Sequence, residues 1–250
     1  MVKKLISFSR NRIPWPLAFK IAGAAIVLSL LYFSAFSWLA IFIFWGFFGY
    51  IYFAESFRRR SFRFSYWLLI FLAFVLIKIG LDYFWTPVLA LALFLVFLAL
   101  FFVVLGLIDF VFGDQFLVYN LFHSSFFLAV FGIFFYFRFS SSFLLLFGLF
   151  LVVLLLLEEF FVFNGIGWPK RRLVAEGVLA LTAVQIAWLT SLLPIGFINS
   201  AAFLVLFLGL SRDAALAHFQ GHFSIFYLFR QLTFFIILSL FIFFISSWSL

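Results

Sequence analysis

Two adjacent carboxylates, Glu158 and Glu159, and three imidazoles, His123, His218 and His222, are the side chains of this sequence best suited to catalysis or metal binding. A carboxylate beside a water-filled cavity can act as a general base, and two histidines four residues apart can offer ring nitrogens to one metal from one helical turn. Neighbouring helical residues project about 100° apart, so at least one of the two glutamates is expected to face a bundle interior. The candidate set is thus Glu158 and Glu159 as general base, with His218, His222 and His123 as metal ligands or acid partners. Gln185, Asn199 and Asn120 are the uncharged polar groups that fit a solute path.

Two short patterns carry family likenesses. The pair Glu158 and Glu159 resembles the first motif of the glutamate-dependent CAAX-type intramembrane proteases, although Phe163 stands where that motif has Arg and the later Phe-x-x-x-His motif is missing. Ser211, Arg212 and His218 are similar to the first part of the phosphate-gripping motif of membrane phosphatidic acid phosphatases, with His222 in place of its Asp. These resemblances imply a cytosol-facing hydrolase with Glu158 or Glu159 as base, or phosphate held by Arg212 with His218 as nucleophile. No motif of either family is complete, and no cofactor is implied.

Each of these residues also has a packing role open to it. Glu158 and Glu159 can neutralise the cluster Lys170, Arg171 and Arg172, and Glu176 is spaced to pair with Arg172 on one helical face. His123 with Asn120, and Gln185 and Asn199, suit hydrogen bonds between membrane helices. His218 and His222 suit a solvated loop, and Lys78 with Asp82 an interfacial i,i+4 pair.

The elements that must position these groups are dictated by composition. Of 250 residues, 68% are hydrophobic and 10% charged, with 48 Phe, far above the roughly 45–50% apolar content of a soluble domain. Without cysteine there are no disulfides, thiolate nucleophiles or thiolate metal sites. The net charge of +8 does not point to nucleic acid, because the basic residues sit in short clusters beside apolar runs, where they orient spans and meet anionic headgroups. Phe and Leu are both inexpensive in hydrocarbon, so the Phe abundance is read as lipid-compatible packing.

Apolar segments at about 17–33, 36–54, 64–81, 88–108, 117–137, 143–163, 173–193, 195–210 and 225–245 predict an all-α, polytopic transmembrane helical bundle of about nine spans, eight if 195–210 is re-entrant. The whole of 1–250 reads as one integral membrane domain, with a basic cytoplasmic segment at 1–16 and helices joined by short loops over 17–246. Ala35, Phe36 and Ser37 after the first segment could pass for a signal cleavage site, but the apolar run that follows at once fits a retained anchor. Pro14 to Pro16, Trp85, Trp168 and Trp248 mark membrane interfaces, and the polar stretch Ser211 to Ser224 reads as an interlude between the last two spans.

Four crossings separate the Arg58–Arg60 cluster from Lys170–Arg172, so the two share a side. With the N-terminus cytoplasmic, fourteen of the sixteen Lys and Arg residues fall on or near that side, leaving Lys78 and Arg138 outside, as the positive-inside rule requires. The expected setting is the plasma (inner) membrane, with anionic headgroups at the cytoplasmic face and other membrane proteins as partners. Three function classes fit, in this order: a non-enzymatic membrane component or scaffold, a small-solute or lipid transporter, and an intramembrane hydrolase with a cytosol-facing Glu/His site.

Overall fold

In hydrocarbon a backbone must satisfy its own polar groups, so long apolar segments resolve into helices. The computed structural model describes residues 15–56, 63–82, 87–108, 114–136, 143–167 and 169–246. Most of the N-terminal basic segment, Arg58–Arg60, Trp85, Arg138, Trp168 and Trp248 lie outside the described residues, as do the side chains of Lys78 and Asp82.

Among the described residues there are nine helices and no strand: α1 (Trp15–Phe33), α2 (Trp38–Ser56), α3 (Arg63–Asp82), α4 (Pro87–Ile108), α5 (Gln115–Tyr136), α6 (Phe143–Phe163), α7 (Pro169–Ser191), α8 (Phe197–Phe219) and α9 (Ile225–Ile245). Five of them, α5 to α9, are long and apolar enough to cross a membrane. The described parts of α1 to α4 hold shorter apolar stretches, Leu17–Phe33, Trp38–Ala54, Phe64–Val75 and Phe94–Leu107.

The eighth element departs from expectation. The apolar segment 195–210 belongs to a helix of 23 residues that continues through Ser211, Arg212 and Asp213 to Phe219. The supposed polar interlude is therefore mostly helix, because Ala214, Ala215, Leu216 and Ala217 are strong helix formers and no Gly or Pro interrupts them. Gly221, at φ +73°, ends it: its N–H bonds to the His218 carbonyl and the His222 N–H to that of Ala217.

The chain divides into two compact units, Met1–Phe122 and His123–Leu250, with the division inside α5. In the first, α1 packs on α2 and α4, and α3 on α4. Phe48 meets Phe101 edge-on at 5.3 Å, Phe101 stacks on Phe97 at 5.9 Å, and the buried Tyr66 hydroxyl donates to the Phe48 carbonyl at 2.7 Å. Ala35 and Phe36 form the turn between α1 and α2 with positive φ of 48° and 61°, and Ser37 caps α2 by accepting from the Ala40 N–H.

In the second unit α7 packs on α6 and α8, and α9 lies along α8 through Phe203 against Phe235 and Phe243. Short turns make consecutive helices antiparallel, so the start of α7 and the ends of α6 and α8 share one end of the unit.

Candidate functional site

That end of the second unit holds two arginine-centred clusters. The first joins three helices. His123, on the third turn of α5, is fully buried, and its Nε2 lies 2.8 Å from the Leu156 carbonyl of α6. A carbonyl can only accept, so Nε2 carries the proton and Nδ1 presents a lone pair. That lone pair is met by Arg212 of α8, whose guanidinium nitrogen lies 3.3 Å away.

Arg212 is only 4% exposed, and its guanidinium sits 4.1 Å over the Phe160 ring of α6. Its Nε and a terminal nitrogen lie 3.1 and 3.0 Å from Asp213 Oδ1. The charge is thus compensated by a carboxylate, a ring face and a neutral imidazole. The His123 and Phe127 rings lie perpendicular with their centres 4.8 Å apart, which adds to the apolar surround.

The second cluster ties α6 to α7. Arg172 Nε lies 3.0 Å from Glu176 Oε1, close in distance but not aligned as a hydrogen bond. A terminal nitrogen of Arg172 lies 3.7 Å from Glu158 Oε1, and another donates to the Ile166 carbonyl at 3.4 Å. Glu176 is 1% exposed and its partner Arg172 half-buried, whereas the Glu158 side chain is 49% exposed. The turn carrying Ile166 is set by Gly165 at φ +73°, with the Asn164 amide donating back to the Phe160 carbonyl at 2.7 Å.

Of the candidates read from sequence, Glu159 is the buried member of the carboxylate pair, and Glu158 faces Arg172. His218 lies on α8, exposed, with its ring against Phe219 and Phe223; His222 lies beyond the helix end and is also exposed. The two therefore do not share one helical turn, because Gly221 reverses the chain between them. Among the described residues, no three of His, Asp and Glu gather as a metal-holding group. Asn120 is half-buried on α5, with its side-chain carbonyl enclosed and without a hydrogen-bond partner among the described residues. Asn199 lies in the first turn of α8 rather than deep within it, and Gln185 is exposed on α7.

Sequence reading placed Arg212 in a loop and so missed its partnership with His123, 89 residues away. One signal was present: Leu204, Leu208, Arg212 and Leu216 recur every four residues, a stripe that carries Arg212 onto the buried face. Chemically, the arrangement fastens helices. His123 has both ring nitrogens engaged and no exposure to water, and Arg172 is shared between two carboxylates.

Comparison of the chain with protein-family models, with curated proteins and with solved structures finds no match. The class defined by the helices is that of a membrane protein, since several are long and apolar enough to span a bilayer.

Proposed function

We propose that this chain is a polytopic membrane component without an enzymatic role of its own, crossing the bilayer nine times from a cytoplasmic N-terminus, in the plasma (inner) membrane. The observation that carries the reading is the engagement of two of the groups suited to chemistry: His123 is held between Leu156 and Arg212, and Glu158 shares Arg172 with Glu176. Ionisable groups within membrane helices are expensive, and here their cost is offset by joining α5 to α6 and α8, and α6 to α7.

The exposed Lys170 and Arg171 at the start of α7 suit contact with anionic headgroups at the cytoplasmic face. Membrane proteins are the partners this reading expects.

The topology is testable because the chain has no cysteine. Arg59→Cys and Arg171→Cys are each expected to react with an impermeant maleimide only when the cytoplasmic face is open, and Trp85→Cys only from the outside. Reaction of the two arginine positions from opposite faces would overturn the nine-crossing topology. The non-enzymatic role predicts partners that copurify unchanged after Glu158→Gln and Glu159→Gln; a turnover abolished by either change in a folded, membrane-inserted chain would assign it to the hydrolases instead.

A further inference from the structure

Helix α7 carries two stripes with the same heptad rhythm on opposite sides. One comprises Glu176, Ala180, Ala183, Ala187 and Thr190, all buried, and it is the side the helix turns inward. Small side chains there let neighbouring backbones approach closely, as membrane helix packing favours. The second stripe is displaced by two residues, about 200° around the helix: Val174, Val178, Leu181, Gln185 and Trp188. All five are exposed.

Steps of four, three, four and three residues are the spacing of a coiled-coil seam, with Val178 and Gln185 at a positions and Leu181 and Trp188 at d positions. Lipid tolerates the apolar members of such a stripe. Gln185 is different: it is the seventeenth residue of a 23-residue helix whose apolar run begins only after Arg172, and its amide has two donors and a carbonyl acceptor that hydrocarbon cannot satisfy. A single polar residue at an a position is the device by which paired helices fix register and partner number.

We propose that the Val174 to Trp188 stripe is the interface on which two copies of this chain pair, with the two Gln185 amides bonded to each other across the two-fold axis. The second copy is the occupant the chemistry favours. An amide is its own complement, donor to acceptor and back, and every copy inserted with the same topology presents Gln185 at the same depth on a parallel helix. This inference rests on the membrane reading above and goes beyond it.

The test uses the full-length chain in native membranes. Single cysteines replacing Val178, Leu181, Gln185 or Trp188 are oxidised, as are cysteines replacing Ala180, Ala183 or Ala187. Because the chain has no thiol of its own, every cross-link reports the introduced position. Disulfide dimers are expected for the outer series and not for the inner one. In dilute bilayers, Gln185→Leu is expected to weaken pairing of the otherwise unmodified chain by about three- to twenty-fold, with Gln185→Asn retaining most of it, from the strength of hydrogen bonds between membrane helices.

Cross-links in the inner phase, a chain that stays monomeric at all densities, pairing indifferent to Gln185→Leu, or a cross-linked product containing a different protein would each overturn the proposal. Carbonate extraction of the same membranes keeps the two readings apart. A chain released by carbonate refutes the membrane assignment, whereas a retained monomer refutes only the paired seam.

Discussion

Replacing His123 by Phe removes both bonds of the three-helix cluster while preserving a ring of similar size against Phe127 and Phe160. Two inter-helix hydrogen bonds are lost, each worth about 0.6 kcal/mol by the average for membrane proteins. The larger effect falls on Arg212, which is 4% exposed and loses the acceptor of one guanidinium nitrogen; a stranded buried donor costs about 1–3 kcal/mol. His123→Phe is therefore expected to destabilise the protein by about 2–4 kcal/mol, most of it from the arginine left behind. Removing the arginine as well relieves that penalty. His123→Phe combined with Arg212→Met is expected to lie within about 1 kcal/mol of the parent, since a buried polar group replaced together with its partner is close to neutral. Reversible unfolding in mixed micelles titrated with sodium dodecyl sulfate measures all four species of the cycle. Single substitutions whose effects simply add, or a loss below about 0.5 kcal/mol for His123→Phe, would refute the clamp.

Other substitutions probe the packing of the first unit. Tyr66→Phe deletes the hydroxyl that donates to the Phe48 carbonyl at 2.7 Å and is expected to cost about 1 kcal/mol in the same titration; no change would show that bond to be dispensable. Ala35→Gly relieves a left-handed backbone at φ 48° and is expected to stabilise the protein by about 0.5–1 kcal/mol, whereas a loss of stability would show that turn to be unstrained. Gly23 lies against the Phe47 ring, with an added Cβ only 2.6 Å from Cζ, so Gly23→Leu is expected to drive that ring aside and cost about 1–3 kcal/mol. An unaltered unfolding midpoint for Gly23→Leu would remove the close approach of α1 to α2.

What the amino-acid order by itself determined is where the helices lie. Apolar runs interrupted by Pro, Gly and charge are a local property, and the nine segments read from them match the nine helices among the described residues to within a few residues at most ends. The exception is instructive: α8 outlasts its apolar run because Ala and Leu carry the helix past Ser211, Arg212 and Asp213, and hydropathy is blind to a charge that helix packing can bury. The i,i+4 pairing of Arg172 with Glu176 was also legible, since one helix fixes both its ends. Tertiary structure alone decided that Arg212 would meet His123, and that of the two glutamates and three basic residues the sequence offered to each other it is Glu158 that faces Arg172. Those contacts depend on the rotation and depth at which separate helices pack, quantities that a stretch of sequence does not specify. The same holds for α7, whose two stripes share one rhythm; only packing on α6 and α8 selects the small-residue stripe for the interior and leaves Gln185 outside.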